Sequence, residues 1–100
     1  MAIVTFYNGD PEDAPKTTMP AHLGANAIIT CKNCLLLEKR SDSDVWGLVG
    51  GGCKKWETGR QAIVREVYEE LGLRIAPERF RKLAVYDNPG RIAAFRDGSI

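Results

Sequence analysis

The stretch from Thr58 to Leu71 constrains this chain more than any other. Ala62, Ile63, Val67 and Leu71 recur at near-helical spacing and make one apolar stripe, so the spacing predicts an amphipathic helix. Gly72 stands where a left-handed C-terminal cap belongs. A helix with a single stripe draws most of its stability from packing against another surface. Strand-like segments supply that surface. Residues 2–7, 24–31, 34–40, 81–86 and 91–95 read as strands, and 45–52 is a short apolar run entering three glycines. Lys32-Asn33 predicts a hairpin between 24–31 and 34–40, and residues 87–90 (Asp-Asn-Pro-Gly) predict a turn. Residues 8–20 hold three prolines and read as a loop, as does the polar run 40–44. The expectation is one α/β domain over 1–100, in which 1–21 is an N-terminal strand with a Pro-rich loop.

At 100 residues the chain can bury only a modest core. Its apolar content of 44% and charged content of 27% are those of a soluble globular protein. A net charge of +1 gives no general attraction to nucleic acid polymers or anionic lipid. No apolar run approaches the ~18 residues of a membrane span, and the first ten residues lack the basic and apolar regions of a secretory signal. Three cysteines, an odd number, point to reduced thiols and a cytoplasmic location. Asp97-Gly98 is a strong hairpin signal, with a strand expected from Ser99. The expectation is a hairpin left open, completed by a partner chain (a homodimer through the sheet edge near 91–100) or by a longer version of the domain.

The predicted helix carries Glu66, Glu69 and Glu70 on the face away from its apolar stripe. Like charges three and four apart cost a few tenths of a kcal/mol per pair. A cation between them reverses the sign, and oxygen ligands on a rigid element suit a hard divalent ion such as magnesium. The alternative is a solvated acidic face balanced by Arg60, Arg65 and Arg74, and the helix alone favours that alternative.

The surroundings change the balance. Gly51 is followed after five residues by Glu57 and after seven more by Arg65-Glu66-Val67-Tyr68-Glu69-Glu70-Leu71-Gly72-Leu73. This segment, 51–73, resembles the signature of the Nudix (MutT-like) hydrolases at seven fixed and two aliphatic positions. Residues 22–30, 35–52 and 86–95 are similar to the strands and loops that flank it in that family. The resemblance implies an α/β/α sandwich with a mixed sheet, and a loop–helix–loop that binds Mg2+ or Mn2+. It implies that Glu66, Glu69 and Glu70 hold the metal with the carbonyl of Gly50, and that Glu57 and Arg65 brace the loop against the helix. The glycines at 50, 51 and 52 are implied to let backbone approach substrate phosphates. The implied reaction is hydrolysis of the diphosphate linkage of a nucleoside diphosphate joined to another group. The family's domains continue with further strands and a second long helix, so a C-terminally incomplete domain is expected here. A catalytically weak Nudix-derived binding or assembly module is the alternative.

Two positions depart from the family's pattern. Val49 replaces a common proline, and Trp56 replaces a common glycine before Glu57. Trp56 could pack on the core or surface, or reach a substrate base; packing is favoured. Cys31 and Cys34 form a CxxC, which a zinc site could use only with Cys53 and His22; structural packing is favoured here also. His22 reads as a surface or loop-anchoring residue, Asp10, Glu12 and Asp13 as a solvated loop, and Trp46 as core. Arg91 could meet a phosphate or a surface carboxylate, and the carboxylate is favoured.

Overall fold

The structure is a computed structural model that describes residues 3–41, 44–95, 97 and 99–100. Its strands are β1 (Ile3–Asn8), β2 (Gly24–Ala27), β3 (Thr30–Cys31), β4 (Cys34–Leu35), β5 (Glu38–Lys39), β6 (Trp46–Gly47), β7 (Val49–Gly52) and β8 (Arg91–Phe95). Among the described residues one α-helix, α1 (Gly59–Leu71), follows β7 and precedes β8 in the chain, and short 3-10 turns occupy Pro11–Asp13 and Pro77–Arg79. The α/β class expected from the pattern holds. The ladders among the described residues are all antiparallel pairs: β1 with β8, β2 with β7, β3 with β4, and β5 with β6.

The chain divides into two compact units. One comprises His22–Lys39 and Trp46–Lys82 and contains α1. Its helix begins because Thr58 caps it. The Thr58 hydroxyl accepts the Gln61 N–H at 3.2 Å, and the Gln61 side chain accepts the Thr58 N–H at 2.9 Å. It ends at Gly72, whose φ of 70° is the left-handed conformation that glycine adopts without a steric penalty. The Gly72 N–H closes the last turn onto the Tyr68 carbonyl. Ala62, Ile63 and Val67 are buried, and Ile63 and Val67 pack with Ala27 of β2 and Val49 of β7. Ala25, Ile29, Leu71, Ile75 and Phe80 flank this core. The predicted stripe is therefore the face that meets the β2–β7 pair.

Two long strands of the sequence pattern are each broken in the structure. The segment 24–31 divides into β2 and β3 at Ile28-Ile29, because β2 ladders with β7 while β3 turns back on β4. The segment 34–40 divides likewise into β4 and β5. The hairpin at Lys32-Asn33 forms as expected, with Cys31 opposite Cys34 and Lys32 at a φ of 56°. Trp46, expected in the core, is 61% exposed. Its strand pairs only with the two residues of β5, and a two-residue ladder gives a large ring nothing to pack beneath.

The other unit comprises Met1–Ala21, Arg40–Val45 and Leu83–Ile100. β1 and β8 pair from Ile3↔Phe95 to Asn8↔Arg91, with a one-residue irregularity between Ile3 and Thr5. Gly9 donates to the Gly90 carbonyl at 3.2 Å, and the Arg91 N–H closes the predicted turn on Asn88. Residues 81–86 alternate in sequence but form no strand, and Leu83, Val85 and Tyr86 are exposed. Alternation makes a strand only where another strand offers hydrogen bonds. Asp10, Glu12 and Asp13 are solvent-exposed as expected, and the Asp10 carboxylate caps the turn at Pro11–Asp13. The expected Asp97-Gly98 hairpin lies partly outside the described residues. Ser99 and Ile100 form no strand; the Asp97 carboxylate accepts from the Ser99 N–H and hydroxyl, which hold it below the usual carboxylate range. The Ile100 carbonyl accepts from the N–H groups of Thr18 and Met19.

Core burial predicts the response to truncation. Val67→Ala, at a fully buried position, is expected to cost about 2–3 kcal/mol in chemical denaturation, the transfer term plus a cavity. Leu73→Ala, at a half-exposed position, should cost less than about 1 kcal/mol. Equal losses would show that the stripe is not what seats the helix.

Candidate functional site

β7 ends in three glycines, and Cys53 leads from it to a four-residue turn, Lys54 to Glu57, that precedes α1. The turn is closed twice. The Glu57 N–H donates to the Lys54 carbonyl at 3.0 Å, and the Lys54 N–H donates to Glu57 Oε1 at 2.7 Å. Arg65, two turns into the helix, holds the same carboxylate in a fork. Its Nε donates to Glu57 Oε2 and its Nη2 to Glu57 Oε1, both at 2.8 Å. Nη2 also reaches the Gly52 carbonyl at 3.0 Å, while Nη1 meets Glu66 Oε1 at 3.0 Å and Glu69 Oε2 at 3.2 Å. One guanidinium thus ties the glycine run, the turn and the helix together. Glu57 and Arg65, the pair expected to brace the loop, are in direct contact.

Charge follows from this geometry. The Arg65 fork holds the Glu57 carboxyl down at about 2, and Glu57 in turn raises the Arg65 guanidinium further above its ordinary value. Burial, then the Glu57 carboxylate, pushes the Cys53 thiol up, which disfavours the thiolate needed for attack or metal binding.

The three helix glutamates take different positions. Glu66 is the most enclosed. Its carboxylate lies directly over Gly51, so a Cβ there would stand 2.7 Å from Glu66 Oε1. Glu69 is half-exposed and accepts from Arg65 Nη1. Glu70 meets Glu38 of β5 and the N–H of Gly50. Burial and the facing Glu38 carboxylate push Glu70 up to about 7. Glu38 is the member that the sequence pattern missed. A single acidic residue in a strand-like run carries no signal, and only the path of β5 past the helix brings it to Glu70.

The glycine run also serves the protein itself. A Cβ on Gly50 would collide with the Ala25 carbonyl and the Asn26 side chain in β2, and Gly51 makes room for Glu66. Gly52 has open space where a side chain would stand.

The donors are carboxylate oxygens on one side of a rigid helix, the chemistry that suits a hard divalent cation. Among the described residues, no three His, Cys, Asp or Glu side chains are gathered around a point that could hold one. Arg65 already occupies oxygens of Glu66 and Glu69.

The remaining candidates make none of the Arg65 hydrogen bonds described above. Cys31 and Cys34 are exposed at the tip of their hairpin, so the packing role favoured for them is not observed; a tight turn has no interior to bury them in. Trp56 is 78% exposed, which excludes the core role. His22 is at the surface, and Arg91, in the other unit, stacks on the Tyr86 ring at 5.1 Å.

A profile of the NUDIX domain matches residues 20–96. The chain belongs to the Nudix family. This Nudix chain is 29% identical over 86 residues to a MutT-like protein of Streptomyces ambofaciens, covering 86% of the chain and 54% of the relative. It is 44% identical over 59 residues to an RNA pyrophosphohydrolase of Psychromonas ingrahamii, covering 57% of the chain and 32% of that protein. It is 40% identical over 48 residues to a dihydroneopterin triphosphate diphosphatase of Escherichia coli, covering 48% of the chain and 32% of that protein. The chain thus spans about half the length of the first relative and about a third of the other two. No solved structure gives a significant match. No helix among the described residues is long and apolar enough to cross a membrane.

The Arg65 fork predicts an acid-resistant charge. Glu57 ionises well below an ordinary glutamate, so its contribution to stability is present above the unfolded value near ~4.3 and is lost as pH falls through about 2. Carboxyl-carbon NMR on the chain should show Glu57 still ionised at pH 3. In Arg65→Ala its titration should move up toward the ordinary glutamate range, and an unchanged midpoint would remove Arg65 as the cause.

Proposed function

We propose that this chain is a pyrophosphohydrolase that cleaves the diphosphate linkage of a nucleoside diphosphate joined to another group. The observation that carries the proposal is the Arg65 network, which unites Glu57, Glu66 and Glu69 on one side of the loop and helix. The names of two relatives, a pyrophosphohydrolase and a diphosphatase, support the same bond type.

In this proposal Glu66, Glu69 and Glu70 hold Mg2+ or Mn2+, and Gly50 lies beside Glu70 as supporting backbone. The ion would neutralise phosphate oxygens and acidify an attacking water. Glu57 fixes the turn through the Lys54 amide, and Arg65 fixes Glu57, so both act by positioning. Carboxylates of this set are also able to take a proton from the water. The backbone of the glycine run, with open space at Gly52, is the proposed approach for a phosphate group. The substrate is a soluble nucleotide-type molecule, which fits a cytoplasmic enzyme that needs neither a membrane nor a nucleic acid polymer.

The alternative, an assembly module pairing through the edge near 91–100, has less support. β8 gives one edge to β1, and the Ile100 carbonyl already accepts two N–H groups.

The test is phosphate release from a panel of nucleoside diphosphate derivatives with magnesium, with manganese and with chelator. Metal-dependent turnover is expected for at least one class. Glu66→Gln should lower it by more than about 100-fold, beyond the 10–100-fold typical of groups that only support a metal ligand. Full activity in Glu66→Gln or in chelator would reject the metal assignment.

A further inference from the structure

Trp56 is the most exposed large apolar residue among the described ones, at 78%. Single apolar residues on a surface are ordinary, so exposure alone decides nothing. Its setting is less ordinary. Trp56 occupies a central position of the turn from Lys54 to Glu57, whose ends are fixed by two hydrogen bonds. The residue next to it is Glu57, which Arg65 locks to the helix. The indole therefore rides on a turn held at both ends, next in sequence to Glu57, with most of its surface open to solvent. The Lys54 ammonium lies 5.8 Å from the ring centroid, and Lys55 adds a second cation to the same turn. A flat aromatic face beside two point charges complements a ligand that combines a planar base with phosphates.

We propose that Trp56 is a specificity-determining residue on which the nucleobase of the substrate stacks, while Lys54 and Lys55 face its phosphates. This rests on the hydrolase assignment above and sharpens it. What it adds is the residue that would favour a planar base over a baseless polyphosphate. No covalent step is involved, and Trp56 touches the substrate away from the bond that is cut.

The experiment measures binding directly, so it does not depend on turnover. In a Trp46→Phe chain, Trp56 is the only tryptophan. Its fluorescence is titrated with each common ribonucleoside triphosphate and with inorganic tripolyphosphate. Quenching by a nucleotide and tighter binding of that nucleotide than of tripolyphosphate are expected. Competition assays then compare Trp56→Ala and Trp56→Phe in the full chain, with circular dichroism to verify folding. Trp56→Ala should reduce the nucleotide-to-tripolyphosphate affinity ratio by about 5- to 150-fold, the 1–3 kcal/mol of base–aromatic stacking at 1.4 kcal/mol per tenfold. Trp56→Phe should keep most of that ratio. An unchanged ratio in folded Trp56→Ala, or equal affinity of the parent for both ligands, overturns the proposal. Hydrolysis with an indifferent Trp56 would sink this inference alone. Nucleotide quenching without any hydrolysis would support it and sink the enzymatic reading.

Discussion

The site depends on one ion pair. Arg65 and Glu57 are eight residues apart in sequence and on different elements, and their forked contact is what ties the loop to the helix. Exposed ion pairs contribute little because holding two long side chains costs entropy and water screens them. This pair differs in geometry. Two hydrogen bonds fix the guanidinium plane, the Lys54 amide donates to the same carboxylate, and the Gly52 carbonyl takes a further N–H. Each partner is therefore ordered by several contacts at once. The remaining donor of Arg65 then falls on Glu66 and Glu69.

Packing makes this arrangement possible. The helix is seated by Ile63 and Val67 against Val49 and Ala27. Val49 opens the strand that continues into the glycines. The same contact that buries the stripe therefore sets the distance from the glycine run to the first helical turns. Glu66 fits over Gly51 only because no side chain stands there. Core and site are built from adjacent residues: Glu66 precedes buried Val67, and Gly50 follows buried Val49.

The electrostatics divide the carboxylates into two kinds. Glu57 has a permanent cationic partner and stays ionised far into acid. Glu70 instead faces another carboxylate, and burial adds to the cost of its charge. Two carboxylates of one loop–helix unit are therefore held on opposite sides of the ordinary glutamate range.

The sequence alone determined the helix, its C-terminal cap and its buried stripe. These are local properties: the 3.6-residue period and the left-handed Gly72 act within a few residues, as does the Thr58–Gln61 reciprocal cap that the structure added. The brace between Glu57 and Arg65 was legible too, though through family resemblance and not through periodicity. Tertiary structure decided the rest. It broke the segments 24–31 and 34–40, left 81–86 without a ladder, exposed Trp46, and brought Glu38 to Glu70. Strand pairing and burial depend on which distant segment lies alongside, and alternation in one segment carries no information about its partner. A helix closes its own hydrogen bonds, whereas a strand must find them elsewhere.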